Sequence, residues 1–210
     1  MKGQFFPYAD SIKTKKFPLV TYSLIAANII IFIASLTDFE NIINFFGFVP
    51  ALFPSMHTII TIFTSMFLHA GIDHIFGNMW YLWIFGDNVE DKLGRVNFIG
   101  LYFLSGIAAN FVQYVVDTSS IIPSIGASGA ISGILGSYLI LFPKASIKTS
   151  TGLALVDYPA WLVIGLWFVM QLFFGFASLA GSGGSNIAFW AHIGGFVFGY
   201  VATKAVKKLR

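Results

Sequence analysis

Long apolar runs alternate with short polar breaks along almost the whole chain. Residues 19–36 form a run long enough to cross ~30 Å of hydrocarbon as a helix. Further runs at 72–87, 96–116, 126–142, 159–179 and 187–205 predict five more crossings. Residues 45–67 are also largely apolar, but Pro50, Pro54, Ser55, His57, Thr58, Thr61, Thr64 and Ser65 interrupt them. Backbone exposed to lipid must satisfy its own hydrogen bonds, so this stretch predicts an interfacial or re-entrant segment. Residues 143–157 predict a loop, and Gly181–Ser185 a flexible connection.

Charge tests this count. With six crossings, the N-terminal lysines, Lys92, Arg95, Lys144, Lys148 and the C-terminal cluster share one side. The opposite loops hold Asp38, Glu40, Asp73 and Asp117 and no Lys or Arg. That is the positive-inside pattern, and it places both termini in the cytoplasm. Making residues 45–67 a crossing would put every later loop on the wrong side. The expected organisation is a cytoplasmic N-terminal tail at 1–18, a six-helix membrane domain at 19–205 and a basic C-terminus at 206–210. The long first outer loop is expected to be partly embedded in the membrane.

Composition agrees. Of 210 residues, 57% are hydrophobic and 10% are charged, against about 25% charged in a soluble domain. The fold class is therefore an all-α polytopic membrane protein, one compact bundle with no room for a separate soluble domain. The absence of cysteine excludes disulfides and thiolate chemistry. The net charge of +3 and pI near 9.1 follow from basic residues beside the membrane segments and do not call for a nucleic-acid partner. No cleaved signal peptide is expected.

The candidate chemistry begins at Gly126-Ala127-Ser128-Gly129. Gly126, Gly129, Gly133 and Gly136 are spaced three and four apart and predict one small-residue helix face, against which another helix can pack closely. A serine on such a face is more often packing filler than a nucleophile. His192 stands in a second small-residue stripe, Ala191, Gly195 and Gly199. With six crossings, Ser128 and His192 enter the membrane at the same level, as do His74 and Asn78, roughly 5–14 Å below the outer surface. Polar groups at that depth face the bundle interior or a wet cavity. Two smooth helix faces allow a short Ser–His contact, which favours a dyad with His192 as general base and acid. A third member is not visible, and water is expected to hold the imidazole. His74 and Asn78 share a helical face and, with the Ser128 N–H, can form an oxyanion hole; an interhelical polar clamp is the other reading.

These residues resemble the rhomboid intramembrane serine protease family. The resemblance covers residues 19–204 and rests on Gly126-Ala127-Ser128-Gly129, His74-x-x-x-Asn78 and Ala191-His192-x-x-Gly195-x-x-x-Gly199. It implies a six-helix rhomboid-like bundle, an acyl-enzyme on Ser128, His192 as base, and cleavage of transmembrane or juxtamembrane segments of membrane proteins. It implies no cofactor and no metal. Glu90 with Leu93-Gly94 resembles the family's polar network at the inner end of the second helix. Two positions depart from the pattern. Ile60-Thr61 stands where some members carry Trp-Arg, and Ser132 where some carry an aromatic residue that stacks on the histidine.

The expected setting is a prokaryotic inner membrane, with the site opening toward the extracytoplasmic side. The expected partners are transmembrane protein substrates and the lipid bilayer. A non-catalytic rhomboid-like scaffold that binds transmembrane clients is the alternative function. Oligomeric state and substrate identity are not legible in the sequence.

Overall fold

The computed structural model describes residues 6–152, 154–180 and 187–208. It is predominantly helical. α1 (Leu19–Ser35) leads into the short α2 (Phe39–Phe46). After a 3-10 turn at Pro50–Leu52 comes α3 (Met56–Thr64), whose N-cap Ser55 accepts from the Thr58 N–H at 3.2 Å. A second 3-10 turn at Ser65–Phe67 precedes α4 (Ile72–Leu93), and the chain bends by 79° between them. α5 (Arg95–Val116), α6 (Ser128–Leu141), α7 (Ala160–Leu179) and α8 (Phe189–Lys208) complete the helices.

The arrangement is built around α6. Gly129 to Tyr138 is buried without interruption. α6 packs most extensively on α8, then on α5 and α4, while α7 rests mainly on α8. The close fit of α6 to α8 follows from the glycines. A Cβ on Gly195 would collide with the Gly129 carbonyl, and one on Gly199 with the Gly133 carbonyl. Two backbones are thus in contact where side chains would hold them apart.

Of the described helices, α5 and α7 are long and apolar enough to cross a bilayer singly, and α3 with α4 pass that test only as a bent pair. α1 and α6 are apolar but shorter, with 17 and 14 residues. Large apolar side chains such as Ile30, Phe111 and Phe173 are exposed on the outside, as expected of an integral membrane protein whose solvent there is lipid.

Three expectations need correction. Residues 6–10, within the expected N-terminal tail, are a strand. Phe6–Asp10 forms β1, which pairs antiparallel with β2 (Ser146–Ser150), and β2 pairs antiparallel with β3 (Leu155–Pro159). The expected loop at 143–157 therefore contains a hairpin, turning through Gly152 at φ 76°. Its alternation is visible in Ser146-Ile147-Lys148-Thr149-Ser150, where Ile147 and Thr149 are buried. The β1 partner is far away in sequence, so no local pattern announced it.

The second predicted crossing does not stop at Asp87. α4 runs on to Leu93 because its last acidic residues find partners. Glu90 accepts from the Val20 and Thr21 N–H groups at 3.0 and 2.8 Å and from Thr21 Oγ1 at 2.8 Å. It supplies the N-terminal cap that Pro18 cannot give α1. Asp91 accepts from the Lys15 and Lys16 N–H groups. Gly94, at φ 83°, ends α4 and starts α5.

Gly126 does not belong to the α6 face. At φ 121° it lies outside the right-handed helical region, and the helix starts at Ser128. The small-residue face is Gly129, Gly133 and Gly136.

At the end of the bundle near the sheet, Asp10 accepts from Tyr138 Oη, from Asn88 Nδ2 at 2.7 Å and from the Ile12 N–H at 3.2 Å. Burial pushes its carboxyl above the ordinary value of 3.8. The expected connection at Gly181–Ser185 lies outside the described residues.

Candidate active site

Ser128 is the first residue of α6, and its position is set from before the helix. Phe48 and Ser124 exchange two backbone hydrogen bonds, at 3.1 and 2.7 Å, and the Gly126 N–H donates to the Ser65 carbonyl at 2.9 Å. Asn110 of α5 donates to Ser65 Oγ and to the Ile62 carbonyl, tying that turn to the bundle. The loop that delivers the serine is therefore anchored on both the 45–67 segment and α5. The first N–H groups of α6 have no partner within their own helix, so a positive dipole end sits beside the hydroxyl.

His192 lies one turn into α8. Its Nε2 is 2.8 Å from Ser128 Oγ, and its Nδ1 is 2.8 Å from Gln171 Oε1 on α7. Three helices thus meet at one imidazole. The glycine contacts that seat α8 on α6 leave the distance between the two side chains little freedom.

Gln171 was not read from the sequence, where water was expected to hold the imidazole; here the amide occupies Nδ1. A signal existed: Gln171 is the one amide or charged side chain in α7, and it is buried. A polar group at such a position costs free energy unless it has a partner. Its partner stands 21 residues away on another helix, which periodicity does not reveal.

Ser132, where some rhomboids carry the stacking aromatic, donates to the Ser128 carbonyl at 2.6 Å. The ring near His192 comes instead from Trp167, one turn before Gln171, with centroids 6.2 Å apart.

His74 and Asn78 share a face of α4, and the structure gives them different surroundings. The His74 ring lies against Gly126: a Cβ there would sit 2.8 Å from His74 Nε2 and 3.6 Å from Ser128 Oγ. The imidazole and the hydroxyl thus flank the same point. His74 Nδ1 accepts from the Ala70 N–H at 3.2 Å, which leaves Nε2 as the protonated nitrogen facing the serine. Asn78 is buried, and its Nδ2 donates to the His74 carbonyl at 2.8 Å. One amide hydrogen is thus occupied within α4. His69 packs edge-on to His74 with centroids 5.0 Å apart.

Comparison with known proteins agrees with this architecture. The Rhomboid domain family matches residues 56–208. The chain is 34% identical over 161 residues to Rhomboid protein 1, mitochondrial, of Saccharomyces cerevisiae, covering 72% of this chain and 44% of that protein. It is 33% identical over 145 residues to the Rhomboid protease GluP of Bacillus subtilis, covering 68% of this chain and 25% of that one. Over 130 residues it is 33% identical to the human presenilin-associated rhomboid-like protein, mitochondrial, covering 59% of this chain and 33% of the relative. Fold and matches define an integral membrane protein built on a rhomboid domain. The chain belongs to the rhomboid family.

The matches span less than half the length of each of these relatives. Two of them are named as mitochondrial and one comes from a bacterium, which makes a prokaryotic inner membrane doubtful as the setting of this chain.

Proposed function

We propose that the protein is an intramembrane serine endopeptidase that cleaves transmembrane or juxtamembrane segments of membrane-protein substrates. The observation that carries this reading is the 2.8 Å contact between Ser128 Oγ and His192 Nε2 in a chain of the rhomboid family. Ser128 Oγ attacks the scissile carbonyl carbon while its proton passes to His192 Nε2. The carbonyl π electrons move onto oxygen. That oxyanion is stabilised by the Ser128 N–H at the start of α6, by His74 Nε2–H and by the free hydrogen of Asn78 Nδ2. Collapse of the intermediate expels the amine, which takes the proton from His192, and leaves an acyl-enzyme on Ser128. Water, deprotonated by the same nitrogen, releases the second product. Gly126, Gly129, Gly195 and Gly199 set the approach of loop and helices. No cofactor takes part.

The reading includes six crossings, α1 and α4 to α8, in a membrane domain at residues 19–205. The sheet supports an even number of crossings between its strands. β1 and β2 pair directly, so residues 6–10 and 146–150 lie on one side of the membrane. Counting α1, α4, α5 and α6 satisfies this, and adding residues 45–67 as a fifth crossing violates it. The distribution of Lys and Arg supports that side being the inner one, and the reading puts both termini on it. α6 spans about 21 Å at 1.5 Å per residue, less than the ~30 Å core, which supports a sunken nucleophile opening outward.

The test is labelling with a fluorophosphonate alongside cleavage of a transmembrane substrate in detergent. The wild-type protein is expected to label once at Ser128 and to cleave; Ser128→Ala and His192→Ala are expected to do neither. Binding of the substrate without labelling or cleavage would make the protein a scaffold for transmembrane clients and end this reading.

A further inference from the structure

We propose that Gln171 is a positioning residue of the catalytic unit, holding His192 in the tautomer that makes it a base toward Ser128. The inference rests on the protease reading above and adds α7 to the helices that carry the chemistry.

The argument starts from what an amide oxygen can do. Gln171 Oε1 accepts hydrogen bonds and cannot donate them, and it lies 2.8 Å from His192 Nδ1. That pairing puts the imidazole hydrogen on Nδ1. The lone pair is then on Nε2, 2.8 Å from Ser128 Oγ, where it accepts the serine proton. With the hydrogen on Nε2 instead, the ring would donate to Oγ and could not act as base. Which nitrogen carries the proton is set by the hydrogen bond at the other one. Among the described residues no carboxylate hydrogen-bonds to His192, so within this site the selection falls to Gln171.

A neutral acceptor also suits the location. A carboxylate held in this buried position would pay a desolvation cost that an amide largely avoids. During attack, the Ser128 proton moves to Nε2, and the Nδ1 hydrogen stays in its bond to Oε1. Gln171 gains and loses no proton. It steadies the imidazolium by its dipole alone.

Position reinforces chemistry. Trp167 and Gln171 lie four residues apart on α7 and therefore on one face, with the indole beside the His192 ring and the amide on its edge. The Ser132 hydroxyl is turned to the Ser128 carbonyl, so the ring and the amide that flank His192 both come from α7. Because α7 rests mainly on α8, the Gln171 bond is a direct link between a lightly packed helix and the reacting atoms.

The experiment combines 15N NMR of histidine-labelled protein with kinetics, using wild type, Gln171→Leu and Gln171→Glu, with His192→Ala to assign the signal. In wild type, His192 is expected to be protonated at Nδ1 and bare at Nε2. Gln171→Leu removes the acceptor at nearly constant volume. It is expected to move the proton population toward Nε2 and to lower kcat and the fluorophosphonate rate by about 10²-fold, the lower end of what a general base supplies. KM is expected to stay close to wild type, while the orphaned Nδ1–H lowers Tm modestly, so rates are compared on the folded protein. Gln171→Glu restores an acceptor at Nδ1 and is expected to return His192 to the Nδ1–H tautomer, with the desolvation cost of the carboxylate showing as a lower Tm.

Three results would overturn the assignment: an Nε2–H tautomer in wild type, Gln171→Leu labelling at the wild-type rate, or a folded Gln171→Glu whose His192 carries its hydrogen at Nε2. Failure of wild type to label Ser128 would instead defeat the protease reading, so the two failures are told apart by the wild-type sample.

Discussion

Ser128 Oγ and His192 Nε2 lie 2.8 Å apart although 64 residues separate them in sequence. What brings them together is the contact of α6 and α8 at Gly129, Gly133, Gly195 and Gly199. The site is therefore a property of how two helices touch, and disturbance of that contact should reach the chemistry.

Gly199→Ala tests this. Its Cβ would enter the Gly133 carbonyl, so the helices must separate. The expected cost is about 1–3 kcal/mol, as for other overpacked interiors, with loss of Ser128 labelling in the protein that remains folded. Gly165→Ala is the control, because nothing lies within 4 Å of a Cβ there. Thermal unfolding in detergent and fluorophosphonate labelling are the measurements. Equal Tm values for the two variants would show that the helices have room to spare.

The proposed oxyanion donors should be separable. His74→Ala and Asn78→Ala are each expected to reduce kcat by about 10²-fold, the effect of one donor in such a hole. Asn78 also holds the His74 carbonyl, so its loss should disturb α4 slightly more. Single-turnover cleavage measured beside unfolding distinguishes the roles. Activity that falls only in proportion to unfolded protein would make Asn78 a structural clamp.

Glu90 is expected to matter for stability and not for chemistry. It is buried and carries three hydrogen bonds to the start of α1. Bonds to a charged group contribute about 1.5–3 kcal/mol each to stability, and the N–H groups left behind would be unpaired. Glu90→Ala should lower Tm markedly, with Glu90→Gln intermediate. The labelling rate of the folded fraction should be unchanged; a proportionate fall in that rate would place Glu90 in the catalytic path.

Asp10 predicts a pH dependence. Its folded-state pKa is raised above 3.8 by burial, so the folded protein holds a proton that the unfolded chain has already released. Stability from this group is present below 3.8 and is lost as pH rises through the folded value. Asp10→Asn cannot titrate and should flatten that part of the Tm-against-pH curve, although it also loses an acceptor from Tyr138, Asn88 or Ile12. Parallel curves for the two proteins would exclude Asp10 as the source.

The sequence by itself determined that the chain is a membrane-embedded helical protein, and it marked Ser128, His192, His74 and Asn78. Those conclusions depend on local quantities. Hydropathy over ~20 residues reports a lipid-facing helix. A polar residue in such a run is costly enough to stand out. Glycines at i, i+4 declare a close contact without naming the partner.

The tertiary structure decided what pairs with what. β1 meets β2 across more than half the chain, because strand pairing is satisfied by backbone groups of any sequence. Glu90 extends α4 past Asp87 because the unpaired N–H groups of α1 lie within its reach. Gly126 leaves the helix because its φ is dictated by the loop that Ser65 and Phe48 hold in place. Gln171 reaches His192 only once α7 lies on α8. A hydrogen bond between helices depends on distance and direction in three dimensions, and a linear pattern carries neither.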